Sequence, residues 1–450
     1  MAEIWQLSAV ETVGLVRRGA LSPVEVVRSL LGRIEALEPS LQAWTALDAE
    51  GALAAARGIE RRISRREPLG PLAGLAVGLK DLYDVAGLPT TAGSPILADN
   101  RAEKDSAVAA RLRSADVLLL GKTVTTPFAY ADPSATRNPW NLEHTPGGSS
   151  SGSAAAVASR MVPAAMATQT AGSGLRPAAY CGIVAVKPSY GRVSRRGLLP
   201  LSWSMDTPVV HARSVEDAAL VLAAIARHDA ADPTTSLPPL EDLATARLDR
   251  PPRLGLVREM MEEAEPELRD HIYSAAARLG SAGASIEDAR LPYGNPLMIG
   301  VHHAIQQSEA VLCHQSLFAE HADRYPPKLR AYLEVGQFLP ATAYVHAQRV
   351  RRRIFDATST LFDSFDALLL PTAQGAAPTL GSTGSYVMLA AFTMLGLPTA
   401  TLPTGLNRAG LPLAVQLVGR YAADGQLVSV ARWAGDVLGP LGEPPAAAYV

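Results

Sequence analysis

Lysine is scarce in this chain. Of 41 basic residues only five are lysines, namely Lys80, Lys104, Lys122, Lys187 and Lys328, so each is an unusual choice against a background of arginine. Cysteine is scarcer still. Cys181 and Cys313 are the two present, with no CxxC pair or Cys/His cluster, which argues against a disulfide framework and against a structural zinc site. Charge of one sign is also lacking: 41 basic residues meet 43 acidic ones for a formal charge of −2. No strong field is therefore available to hold nucleic acid or an anionic membrane surface. Charged residues make up only 19% and hydrophobic ones 48%, which is not the composition of a disordered chain.

Long hydrophobic runs are missing as well. The uncharged stretch from Ala367 to Asn407 is cut by Pro371, Pro378, Pro398 and Pro403. Its apolar core, Tyr386 to Leu397, falls short of the ~20 residues a membrane span needs and reads as a buried helix. The start, MAEIWQLSAVETVG, carries an early acid and no positive n-region before an apolar stretch, so a signal peptide is not expected and the cytoplasm is the expected location.

What is present alternates. Ser8-Ala-Val-Glu11 and Ser22-Pro-Val-Glu25 are capping boxes, the second with proline at the first helical position, and they predict helices over the first 65 residues. Short apolar runs at Leu75–Leu79, Val117–Leu120, Ile183–Val186, Leu254–Val257, Ala367–Leu370 and Leu413–Leu417 predict buried strands. Helical patterns lie between them, for example Ser106–Arg113 and Ser214–Arg227. The fold class is α/β, with a largely buried sheet. Residues 229–252 read as a surface connection rich in Pro, Asp and Thr. From about 255 to 362 the chain is mainly helical, and the end of the chain is Ala-rich.

The chemistry gathers in Pro146-Gly-Gly-Ser-Ser-Ser-Gly-Ser153 and Thr168-Gln-Thr-Ala-Gly-Ser-Gly-Leu-Arg-Pro177. Such density of glycine and serine lets backbone N–H groups and hydroxyls converge on a small volume, although a plain linker has the same composition. A phosphate-binding loop needs a lysine after the glycines, and none follows. Gly148-Ser-Ser-Ser-Gly152 matches a nucleophile elbow formally, but no strand precedes it. Ser173, with Ala-Gly before it and Gly after it, can instead expose its hydroxyl beside N–H groups aimed at one point, as an oxyanion hole requires. Lys80 ends an apolar run, where burial disfavours its charged form and makes a neutral base available.

Together these segments resemble the amidase signature family, whose members carry a GGSSGGS-like motif, a GGS motif about two dozen residues later and a lysine well upstream. The likeness continues through Thr136-Arg-Asn-Pro-Trp140, Lys187-Pro-Ser-Tyr-Gly-Arg-Val193, Asp366-Ala-Leu-Leu-Leu-Pro-Thr372 and Gln416-Leu-Val-Gly-Arg420, and is weakest between 229 and 362. It implies one domain over 1–450, built on a central mixed β-sheet flanked by α-helices on both faces, and a catalytic set of Lys80 as base, Ser149 as the relay serine after a cis peptide, and Ser173 as nucleophile. Thr170, Ala171, Gly172 and Ser173 would form the oxyanion hole, and Arg176 is a candidate for a substrate carboxylate or, equally, for a structural carbonyl. No cofactor and no metal are implied. The implied activity is hydrolysis of a carboxylic amide through a seryl acyl-enzyme, extending to aryl amides, carbamates and esters. The alternative is a glutamine-dependent amidotransferase A-type subunit. A small-molecule amide or carbamate is the expected partner, and a homodimer a possible assembly.

The chain departs from the family where DTGGSIR is common: Gln169 stands for the acid and Leu175 for the arginine, a joint loss that leaves neither charge unpaired. Four other residues invite weaker readings. Lys122 also follows an apolar run and is read as structural. Asp206 is read as fixing a loop. His302 and His303 could line a pocket, but histidines on such helices are more often satisfied interior or surface groups.

Overall fold

A computed structural model describes residues 3–238, 240, 243 and 246–445; the Ala-rich end beyond 445 lies outside the described residues. Eleven strands form one sheet. They are β1 (Trp44–Leu47), β2 (Ala76–Lys80), β3 (Leu118–Thr123), β4 (Ala164–Gln169), β5 (Val184–Lys187), β6 (Thr207–Ala212), β7 (Arg253–Val257), β8 (Ser285–Ala289), β9 (Ala367–Pro371), β10 (Thr399–Leu406) and β11 (Pro412–Val418). Their order across the sheet is β1-β3-β2-β4-β6-β5-β10-β11-β9-β7-β8. The sheet is mixed. β2 runs parallel to both β3 and β4, and β7 parallel to β8 and β9, while β4–β6, β5–β6, β5–β10, β10–β11 and β9–β11 are antiparallel.

All six expected strands are present, and their continuous apolar runs have the physical cause anticipated: β2, β3, β5, β9 and β11 are buried at every position, covered on both faces. Both capping boxes form, with Ser8 and Ser22 accepting from the N–H of Glu11 and Glu25 and those glutamates returning to the serine N–H groups. The resulting helices, Ala9–Arg17 and Pro23–Leu41, are followed by Ala49–Ser64 after the short edge strand β1. The region 255–362 is mainly helical, dominated by Asn295–His321 and Ala341–Ser359, but it also contributes the edge strand β8. The apolar stretch 386–397 corrects one expectation. It is buried from Met388 to Leu397, yet only Ala390–Met394 is α-helical, because Gly396 adopts a positive φ of 71° and Pro398 follows, which turns the chain into β10. Among the described residues no helix is long and apolar enough to cross a membrane.

Candidate active site

Three neighbouring elements set the site. β2 carries Lys80 at its C-terminal end, and pairing of Leu79 with Met166 brings that end level with the end of β4, where Thr168 lies. The Gly/Ser loop crosses in front and enters the helix Ser151–Ala158, with the Gly148–Ser149 peptide in the cis form. Lys80 Nζ lies 2.6 Å from Ser149 Oγ and 2.8 Å from Thr168 Oγ1. The second loop, from Thr170 to Gly174, follows β4 and opens the helix Leu175–Cys181. It is joined to the first loop by the N–H of Ser150, which donates to the carbonyl of Ser173 at 3.2 Å. Relative exposure rises from 0% at Lys80 through 1% at Ser149 to 8% at Ser173, so of the three it is Ser173 that solvent or substrate reaches.

Lys80 is held well below the usual lysine range. Burial is the main cause; the charge of Asp206 opposes it and that of Arg176 reinforces it. Hydrogen bonding agrees, since an ammonium has three hydrogens to place and the described residues offer Nζ two hydroxyls and no carboxylate. Neutral Nζ has a lone pair for the Ser149 proton and a hydrogen for Thr168.

The loop Thr170–Ser173 is fastened by its carbonyls and side chains. Thr170 Oγ1 donates to Asp206 Oδ1 at 2.5 Å, while Asp206 Oδ2 accepts from the N–H of Leu201 and of Ser202. Among the described residues, no backbone hydrogen bond uses the N–H of Ala171, Gly172 or Ser173, so these donors remain for a ligand oxygen. Gly172 is closely packed: a Cβ there would come within 2.8 Å of the Leu389 side chain and 3.3 Å of Tyr386, so a larger residue would have to displace Leu389.

The departures from the family pattern acquire a reason. Gln169 Oε1 accepts from the N–H groups of Gly174 (3.0 Å) and Leu175 (2.9 Å) at the start of the helix, and its Nε2 donates to Thr393 Oγ1 at 2.9 Å. Leu175 is fully buried among apolar neighbours, where an arginine would need a partner. Arg176 is held by backbone carbonyls, with Nη1 donating to Gly384 (2.8 Å) and Nη2 to Gly148 (2.6 Å), and burial lowers its pKa to about 10. The contact with Gly148 makes it a brace for the Ser149 loop. Ser150 sits at the N-terminal end of its helix without a strand before it, and its Oγ faces the backbone of Thr168 at 3.3 Å. Lys122 lies apart, paired with Asp81 at 2.8 Å.

Tyr386, beside Gly172, belongs to a group of rings contributed by several elements. Tyr130 and Tyr332 are 4.6 Å apart between centroids, His303 stacks on Tyr332 at 5.3 Å, and His302 lies 6.1 Å from Tyr386. A cavity of about 600 Å³ is lined by Trp203, Phe318, Leu333, Leu339 and Tyr344 among others, and by none of Lys80, Ser149 or Ser173.

Comparison with known proteins settles the family. The sequence model of the Amidase family matches residues 25–428. The chain belongs to the amidase signature family. The A-type subunit of glutamyl-tRNA(Gln) amidotransferase from Salinispora tropica is 36% identical over 99% of this chain and all of that protein. Among solved structures, a bacterial aryl acylamidase of the amidase signature family superposes with a TM-score of 0.89 at 28% identity, covering 100% of this chain and 98% of the other. Peptide amidase from Stenotrophomonas maltophilia gives 0.87 at 30% identity, with 98% of each chain covered. The protein therefore has the amidase signature fold and is an amidase-type enzyme acting on C–N bonds. Within that family, Thr168, Gln169 and Thr393 are partners that sequence reasoning left without a role. Thr168 lies within the second loop motif, and only the 2.8 Å contact with Lys80 Nζ assigns its partner. Thr393 is 224 positions from Gln169, and nothing local marks it.

Proposed function

We propose that the protein hydrolyses a carboxylic amide through a seryl acyl-enzyme. Neutral Lys80 accepts a proton from Ser149, and Ser149 takes one from Ser173 as its oxygen bonds to the substrate carbonyl carbon. The carbonyl π electrons move onto oxygen, which the N–H groups of the Thr170–Ser173 loop receive. Collapse expels the amine with the proton returned through the same relay, and water then releases the acid. The observation that carries this reading is the 2.6 Å approach of a fully buried lysine without a carboxylate to Ser149. The substrate favoured is an amide with an uncharged acyl part, including anilides and carbamates. Tyr386 and Leu389 border the oxyanion loop, and the nearby guanidinium of Arg176 is already engaged with two carbonyls.

A second reading rests on the 36% identity with an A-type amidotransferase subunit. There the same acyl-enzyme forms from glutamine, and the released ammonia is used by an acceptor on a partner chain. Ammonia release from glutamine, compared with amine release from p-nitroacetanilide, separates the two. Turnover of the anilide without partners supports the hydrolase; glutamine cleavage alone, or only with added partner subunits, supports the amidotransferase. The mechanism itself is tested by incubation with a fluorophosphonate, intact mass and peptide mapping. An adduct on Ser173 that is lost in Lys80→Ala is expected; an adduct on Ser150 would replace the relay with an elbow-type site.

A further inference from the structure

The oxyanion loop offers its N–H groups to a ligand, yet a peptide N–H points usefully only if its plane is fixed. In a trans peptide the carbonyl of one residue and the N–H of the next are antiparallel across a rigid plane. The one cis bond among the described residues is at Gly148–Ser149, so the Thr170–Ala171 and Ala171–Gly172 units are trans. Holding the carbonyl of Thr170 therefore aims the N–H of Ala171, and holding the carbonyl of Ala171 aims that of Gly172.

Both carbonyls are held by side chains from outside the signature motifs. His302 Nε2, on the helix Asn295–His321, meets the carbonyl of Thr170 at 3.1 Å, and Thr393 Oγ1, on the helix Ala390–Met394, donates to that of Ala171 at 2.8 Å. The carbonyl can only accept, so His302 carries its proton on Nε2. The Thr393 hydrogen is aimed by Gln169, whose Nε2 occupies a lone pair of the hydroxyl at 2.9 Å and leaves the hydrogen for Ala171. The hydroxyl also lies 3.1 Å from the carbonyl of Leu389 one turn back, a longer contact than that to Ala171. Both side chains are buried, at 0% for His302 and 1% for Thr393, so neither bond competes with water.

We infer that His302 and Thr393 are positioning residues for the oxyanion hole, each aiming one peptide N–H by gripping the carbonyl behind it. The inference rests on the acyl-enzyme reading. Charge on the oxygen exists only in the transition state, so losing either grip lowers the rate at which Ser173 reacts and leaves the protonation of Lys80 unchanged. Damage to the site as a whole would disturb both.

The test is the second-order rate of Ser173 phosphonylation by a fluorophosphonate as a function of pH, in wild type, Thr393→Val, Thr393→Ser and His302→Phe. Thr393→Val and His302→Phe should each lower the alkaline plateau by about 10- to 100-fold, with the midpoint of the acid limb unmoved. Thr393→Ser, which keeps the donor, should stay within about threefold of wild type. Thr393→Val is near-isosteric and carries the test should His302→Phe fail to fold. A plateau within threefold of wild type in Thr393→Val, or a rate loss accompanied by a shifted midpoint, overturns the inference while leaving Ser173 as nucleophile. A wild-type protein unlabelled at Ser173 overturns the acyl-enzyme reading and this inference with it.

Discussion

Lys80 and Lys122 are neighbours on adjacent parallel strands, with Lys122 paired in register to Leu79, and neither has any exposed surface. Their surroundings differ in one respect. Lys122 Nζ places all three hydrogens, on Asp81 Oδ1 (2.8 Å), the carbonyl of Pro89 (2.8 Å) and Thr90 Oγ1 (3.1 Å). Burial pulls its pKa down, and the charge and hydrogen bond of Asp81 pull it back. Lys80 has two hydroxyls and a more distant Asp206. A third buried lysine, Lys187, donates to the carbonyls of Pro188 and Leu397 and touches no carboxylate among the described residues; burial, opposed by the charge of Asp424, brings it to about 7. Desolvation lowers all three, and the carboxylate in contact with Lys122 opposes it there by charge and hydrogen bond. Withholding a counter-ion from Lys80 thus favours its unprotonated form, and the contact with Asp81 favours the protonated form of Lys122.

The comparison can be broken by exchange. Lys80→Met should lower kcat by about 10³-fold or more while leaving thermal stability equal or higher, since an uncompensated buried amine is removed. Lys122→Met should do the opposite. Asp81 is then left buried without its partner, a loss of about 3–5 kcal/mol in a denaturant titration, with activity per folded molecule retained. Wild-type-like activity in Lys80→Met, or an unchanged stability in Lys122→Met, would dissolve the distinction.

Asp206 sharpens it further. Its charge favours protonated Lys80, so Asp206→Asn should move the acid limb of the pH–rate profile to lower pH. The plateau should also fall, because one amide oxygen cannot accept from both Thr170 and the N–H groups of Leu201 and Ser202. A limb that moves to higher pH would show that Asp206 does not act on Lys80 as a charge. The smallest effect concerns the buried histidines. His211, His302 and His314 are each held at about 4 by burial, against 6.5 unfolded. Between these values the unfolded chain binds more protons than the folded one, so stability should fall as pH drops from about 6.5 towards 4. Chemical denaturation across that range checks the sign.

The buried strands were legible because both of their faces are covered and their residues read as unbroken apolar runs. The strands left unread lack that signal. β4, AAMATQ, is Ala-rich; β6 carries Pro208 and His211; β10 mixes Thr and Pro403; β8 is an edge with four of its five positions not buried; β1 is only four residues long. The site divides in the same way. Lys80, Ser149 and Ser173 lie in motifs that local sequence displays, and the resemblance assigns their roles. Thr393 and His302 could not be read, because what they touch is set by packing of elements 132 to 222 positions away. Gln169 is intermediate: the missing acid was visible, and its replacement by an amide that both accepts and donates required the positions of Gly174, Leu175 and Thr393.

With five lysines in the chain, the central claim can be measured directly by selective 13C/15N labelling of lysine and NMR titration, each resonance assigned by single Lys→Arg or Lys→Met replacement. At neutral pH the Lys80 side chain should give the chemical shifts of a free amine and Lys122 those of an ammonium. Lys187 should titrate near 7. A Lys80 resonance that remains that of an ammonium through alkaline pH, alongside Lys122, would contradict the account.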